Sequence, residues 1–216
     1  MRVEELEELF HDIDEQLDQE TTLFTIGGAP MLFREQKPAT KDIDLIASSE
    51  TDQESAINAL KELGFRLPSI GIDYEDLRGR KVEVDLGGFR GIPVSSRMKE
   101  RVESAPIGGL DKLRLMLISN EDNIIFKSMG EREKDYDDIH SIIFNPIDWG
   151  VVLEESEKLT RETLTSGETP TLFPGFIAVS LREVMEKHGG VSEDIIKKFE
   201  QSAIRLNEVL RRETKD

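Results

Sequence analysis

The chain contains no cysteine and only 3 histidines in 216 residues. Disulfides, thiolate metal centres and cysteine nucleophiles are therefore excluded, and a histidine-rich transition-metal site is disfavoured. His11, His140 and His188 are scattered over segments that read as helices. No His-x₃-His pairing joins them, so they read as structural or surface residues. Aromatic residues make up 6%, with one tryptophan and two tyrosines. They do not cluster into a base-stacking platform, and Trp149 and Tyr136 read as core or domain-interface residues. Positive charge is also short, with 28 Lys and Arg against 45 Asp and Glu, a net charge of −17. A global phosphate-binding surface is absent, which leaves room only for a local basic rim, and the acidity reads as solubility or adaptation to a salty cytoplasm. No apolar run approaches the roughly 18 residues of a membrane span. The opening Met1-Arg2-Val3-Glu4-Glu5 has no apolar signal core, so a cytoplasmic protein without membrane partners is expected.

What is present suits a globular chain, with 37% hydrophobic and 34% charged residues. The length allows one large or two small domains. Val3 to about Gln19 has apolar residues at helical spacing. Leu23 to Ile26 reads as a buried strand that ends at Gly27-Gly28. A short helix is expected from Ala29 to Glu35, then a strand from Asp42 to Ala47 and a helix from Ser49 to Gly64. Lys81 to Leu86 alternates strictly, as a strand does. Leu113 to Ile118 is a further strand candidate, followed by helices over Glu121–Gly130 and Glu133–Phe144. Beyond Asn145-Pro146 the chain turns helical and polar, over Trp149–Thr165 and Val179–Arg212 with a loop from Thr165 to Pro170. The expected organisation is a mixed α/β domain over 1–145 and a helical region over 146–216. The amphipathic C-terminal segment, with Ile195, Ile196, Phe199, Ile204, Leu206 and Leu210, reads as packing on the domain or on a second subunit.

Asp42 and Asp44 are the most informative residues. Two positions apart on a strand, they share one face while Ile43 and Leu45 are buried on the other. Adjacent carboxylates repel, and the usual compensation is a divalent cation, here Mg²⁺ or Mn²⁺ because the donors are oxygens. Glu83 and Asp85 repeat the pattern on the Lys81–Leu86 strand. Either could add a third carboxylate, with Asp85 favoured for its place beside the Gly87-Gly88 turn; a plain solvent-facing polar side is the alternative. Gly27-Gly28 allows a positive φ and a close approach of backbone N–H groups to phosphate oxygens. Lys127 lies among Ile124, Ile125 and Phe126, where an ammonium must find an anion or reach solvent. A nucleotide phosphate would suit it. Arg132, Lys134, Asp135 and Asp138 read as a charged cluster, or simply as solvated helix ion pairs.

Together these segments resemble the nucleotidyltransferase superfamily, and most closely its minimal AbiEii-type branch of abortive-infection toxins. The matching motifs are Gly27-Gly28-Ala29 with Ala39-Thr40-Lys41-Asp42-Ile43-Asp44-Leu45, and Lys127 with Arg132-Glu133-Lys134-Asp135 and Asp138-Ile139. The resemblance covers about residues 20–145. It implies a mixed β-sheet flanked by helices, a divalent metal, and transfer of a nucleoside monophosphate from an NTP to a hydroxyl of tRNA, protein or a small molecule. It further implies metal ligation by Asp42, Asp44 and Asp85. Gly27, Gly28, Lys37, Thr40, Lys127 and Asp135 would surround the nucleotide, with Lys127 also serving catalysis. A cognate antitoxin and a homodimer are possible partners. One position departs from the pattern: Pro38 stands where the family often has arginine, with Lys37 beside it as a substitute point charge. That departure motivates an alternative, a nucleotide- or partner-binding module without transfer activity.

Overall fold

The computed structural model describes residues 1–69, 71–89, 91–165 and 170–213. Its elements run α1 (Val3–Gln16), β1 (Thr21–Ile26), α2 (Gly28–Phe33), β2 (Asp42–Ala47), α3 (Glu50–Glu62), β3 (Tyr74–Glu75), β4 (Lys81–Leu86), β5 (Gly88–Phe89), β6 (Ile92–Pro93), α4 (Ser96–Glu100), β7 (Glu103–Ser104) and β8 (Leu113–Leu117). Helices α5 (Asn120–Ser128), α6 (Glu133–Ile142), α7 (Trp149–Thr165), α8 (Phe173–His188) and α9 (Glu193–Glu213) follow. The chain divides into two compact units, Met1–Ser119 and Asn120–Asp216. The change of composition near residue 145 falls inside the second unit. No helix among the described residues is long and apolar enough to cross a membrane.

The first unit is built on a six-stranded mixed sheet in the order β3-β4-β2-β1-β8-β7. Strand β2 runs antiparallel to β1 and parallel to β4, and β1 runs parallel to β8. One face buries Leu23, Ile43, Leu45, Val82 and Val84 in a core shared with Leu6, Leu9, Phe10 and Ile13 of α1, Leu32 of α2 and Ala56, Ala59 and Leu60 of α3. Because side chains alternate along a strand, Asp42, Asp44, Glu83 and Asp85 necessarily take the opposite face.

Two carboxylates fix helices to this sheet. Asp14 of α1 is 6% exposed and accepts backbone N–H groups of Asp111 (3.1 Å), Lys112 (2.8 Å) and Leu113 (2.6 Å) at the start of β8. Burial pushes its carboxyl up, but the backbone donors outweigh that and hold it below the ordinary carboxylate value. Asp52 accepts the Ser48 and Ser49 hydroxyls at 2.7 and 2.8 Å and the N–H of Thr22 at 3.1 Å, joining the start of α3 to β1. Ser49 caps that helix in return, accepting the N–H of Asp52.

In the second unit, α7, α8 and α9 bury Val152, Leu159, Phe173, Ile177, Leu181, Ile196, Phe199 and Leu206. The helix expected over Val179–Arg212 is two helices. Gly189 and Gly190 both have positive φ, +76° and +84°, and end α8 before α9 begins. The loop expected over 165–170 lies outside the described residues except at its two ends. Ile196, Phe199 and Leu206 of the C-terminal stripe are buried as expected, whereas Ile204 is exposed. Trp149 meets Phe199 edge-on, with ring centroids 6.3 Å apart, as a packing aromatic does.

Candidate active site

In the first unit the glycine pair, the strand carboxylates and the Lys37–Thr40 loop meet. Gly27 follows β1 with φ +68° and ψ −122°, a conformation that side-chain-bearing residues avoid. A Cβ placed on Gly27 would lie 2.6 Å from Asp44 Oδ2. One on Gly28 would lie 2.2 Å from Thr40 Oγ1 and 3.8 Å from Lys37 Nζ. A carboxylate, a hydroxyl and an ammonium therefore pack directly against backbone that has no side chain to interpose. The Thr40 hydroxyl donates to the Asp42 carbonyl at 3.1 Å, which ties the loop to the first residue of β2.

The register identifies the carboxylates' neighbours. Across the parallel β2–β4 pair, Asp42 lies beside Lys81, Asp44 beside Glu83 and Ile46 beside Asp85. Glu83 is 3% exposed, and Asp42, Asp44 and Asp85 are half-buried. Sequence favoured Asp85 as the third carboxylate because it borders the glycine turn. The strand pairing puts Glu83 next to Asp44 and Asp85 one pair further along on the same face. Among the described residues, no three His, Cys, Asp or Glu side chains converge as a ready-made metal cage.

In the second unit, Lys127 near the end of α5 donates to Asp138 Oδ2 at 2.6 Å and to Asp135 Oδ1 at 3.4 Å. Arg132 grips Asp135 with a two-point fork, Nε to Oδ2 at 2.6 Å and Nη2 to Oδ1 at 3.2 Å. Asp135 is 1% exposed and the Lys127 side chain 10%. Gly130 makes room for the arrangement, since a Cβ there would lie 2.1 Å from Asp135 Oδ2. Lys127, Asp135 and Asp138 thus form a buried network, with Arg132 half-exposed at its edge and Lys134 exposed outside it. Sequence reasoning placed Asp138 in the cluster but gave it no role; it makes the shortest contact with Lys127. Its spacing of three from Asp135 was the available signal.

The histidines read singly from sequence are not all separate. His140 and His188 stack with ring centroids 4.2 Å apart, and His188 bonds Asp137 at 2.8 Å. Burial and the neighbouring His188 push the His140 imidazole below its ordinary value.

The family described as "Nucleotidyltransferase of unknown function (DUF6036)" matches residues 4–167. No curated protein matches the sequence. Among solved structures, the antibiotic-resistance factor ANT(2'')-Ia is similar over 85% of this chain and 96% of its own, at 15% identity and a TM-score of 0.44. At that distance the likeness says nothing about activity. The family match reaches the nucleotidyltransferase level and does not single out the abortive-infection toxin branch.

Proposed function

The chain belongs to the nucleotidyltransferase family of unknown function DUF6036, and from that premise we propose that it moves a nucleoside monophosphate from an NTP to a hydroxyl acceptor with release of pyrophosphate. The observation that carries the reading is the packing of Asp44, Thr40 and Lys37 against Gly27-Gly28. Bare glycine backbone, a hydroxyl and an ammonium side by side offer donors to a triphosphate, and the adjacent carboxylates offer acceptors to a cation.

The residues fit a divalent metal. Mg²⁺ is commonly held by one or two carboxylates and completes its shell with water and substrate phosphates, so a preformed cage of three is not required. Asp42 and Asp44 would hold it, with Asp85 or Glu83, the register neighbour of Asp44, as the third carboxylate. When bound, such a cation neutralises phosphate charge and acidifies the attacking hydroxyl. The chain's own share is positioning. Gly27 and Gly28 admit the phosphates close to the main chain, Lys37 supplies positive charge, and Thr40 holds the loop to β2. Lys127 and Asp135, which the resemblance adds to the nucleotide set, belong to the second unit. Two of the three ammonium donors of Lys127 are engaged by Asp135 and Asp138.

Incubation with α-labelled NTPs, Mg²⁺ and a cell extract separated into RNA, protein and small-molecule fractions tests this. Label is expected in one fraction, and Asp42→Ala/Asp44→Ala should abolish it. Label in no fraction, with NTP bound normally, would sink the proposal.

A further inference from the structure

A cleft of about 480 Å³ opens beside Asp42, lined also by Glu5 and Glu8 of α1 and by Lys41, Arg78, Arg80 and Lys81. Its size is that of a small-molecule site, on the order of 300–1,000 Å³. Its lining carries four basic side chains against three acidic ones, in a chain whose net charge is −17. Nothing in the nucleotide reading uses this basic cluster.

The basic wall is preorganised. Between β3 and β4 the chain reverses tightly, with Gly79 at φ +78° and its N–H donating to the Asp76 carbonyl at 3.0 Å. The Asp76 carboxylate accepts the N–H groups of Arg78 and Arg80 at 2.9 Å each and Nε of Arg80 at 2.7 Å. The Arg80 guanidinium lies 5.4 Å from the centre of the Phe65 ring. Arg80 and Lys81 are thus neutralised at the turn, Arg80 by Asp76 and Lys81 by Glu75 at 3.7 Å. Lys41 and Arg78 are exposed, and among the described residues no carboxylate pairs with either. Two unneutralised cations therefore face a cleft that also contains the first carboxylate of the Asp42–Asp44 pair.

We propose that this cleft binds the acceptor of the transfer, and that the acceptor is a compact phosphate ester. Its phosphate engages Arg78 and Lys41, and its hydroxyl lies on the Asp42 side. A phosphate, with up to two negative charges and several acceptor oxygens, matches a guanidinium and an ammonium. A compact acceptor is favoured over a nucleic-acid strand, because a strand would continue from the cleft onto a strongly acidic protein. The proposal rests on the nucleotidyl-transfer reading for the identity of the site beside Asp42.

Ribose 5-phosphate and ribose serve as probes against the full chain, in the presence of Mg²⁺ and an NTP analogue that cannot be cleaved between the α and β phosphates. Amide NMR shifts and calorimetry report where and how tightly each binds. Ribose 5-phosphate should perturb the amides of Lys41, Arg78 and Gly79 and bind at least tenfold more tightly than ribose. Lys41→Glu/Arg78→Glu, both at exposed positions, should lower that affinity at least tenfold while leaving the affinity for the NTP analogue unchanged. Equal binding of the two probes, shifts confined to other residues, or no effect of the double variant overturns the proposal. So does tighter binding of single-stranded RNA with a steep salt dependence. If the NTP analogue itself fails to bind, the nucleotide reading falls instead, so the two failures are distinguishable.

Discussion

At Gly28 one added methyl group would press directly on the proposed nucleotide site. A Cβ there lies 2.2 Å from Thr40 Oγ1, so Thr40 would have to move and the loop that carries Lys37 with it. Overpacking of this kind costs about 1–3 kcal/mol. Gly28→Ala is therefore expected to lower the urea midpoint and to weaken MgNTP binding at least tenfold, measured by calorimetry. Unaltered MgNTP affinity would remove Gly28 from the proposed phosphate site. Asp135 carries a different kind of load. It is a buried carboxylate held by the half-exposed Arg132 and by Lys127, and Lys127 keeps Asp138 as a partner when Asp135 is removed. Asp135→Ala, which removes charge-assisted hydrogen bonds without leaving a buried charge unpaired, should destabilise the chain by about 2 kcal/mol in urea unfolding. The pair Asp42-x-Asp44 was legible from strand periodicity alone. Which of Glu83 and Asp85 neighbours Asp44 was not, because both share a face and only the pairing of β2 with β4 sets their register.

At the scale of elements, Asp14 makes the most consequential contact between a helix and the sheet. Its carboxyl is held below its unfolded value of about 3.9. A group whose folded pKa is depressed contributes its stability fully above the unfolded pKa, and that contribution is lost as pH falls through the folded pKa. Asp14→Asn is thus expected to cost about 2 kcal/mol at neutral pH, with the gap to the parent closing below about pH 4, as read from urea midpoints across pH. A gap that does not change with pH would contradict the backbone-bound carboxylate. Sequence gave no hint of this contact, since Asp14 reads as one more acid on an amphipathic helix. Strands β2 and β4, by contrast, begin and end at the residues that alternation predicts. The short strands β3, β5, β6 and β7 span two residues each, too few for any period to register. The expected single C-terminal helix overlooked Gly189-Gly190, whose positive φ values only a glycine pair accommodates readily.

For the molecule as a whole, the mixed sheet, the flanking helices and membership of a nucleotidyltransferase family agree with the fold class and enzyme class expected from the two motifs. The division after Ser119 was not legible, because α5 follows β8 with no Pro- or Gly-rich linker to mark it. Acidity at this scale constrains the acceptor. If the transfer used a long RNA, its rate would fall steeply with salt, whereas a compact acceptor predicts a shallow dependence between 50 and 200 mM salt, on the scale over which phosphate-dominated binding loses about 10³-fold or more. The claim that underlies the rest is the class of group transferred, and it is tested by supplying the same NTP labelled in turn at the α and the γ phosphate, with Mg²⁺ and the fractionated extract. The α label is expected to move to the acceptor while the γ label leaves as pyrophosphate, and both events should vanish in Asp42→Ala/Asp44→Ala. Transfer of γ label to the acceptor, or α transfer that survives in the double variant, would contradict it.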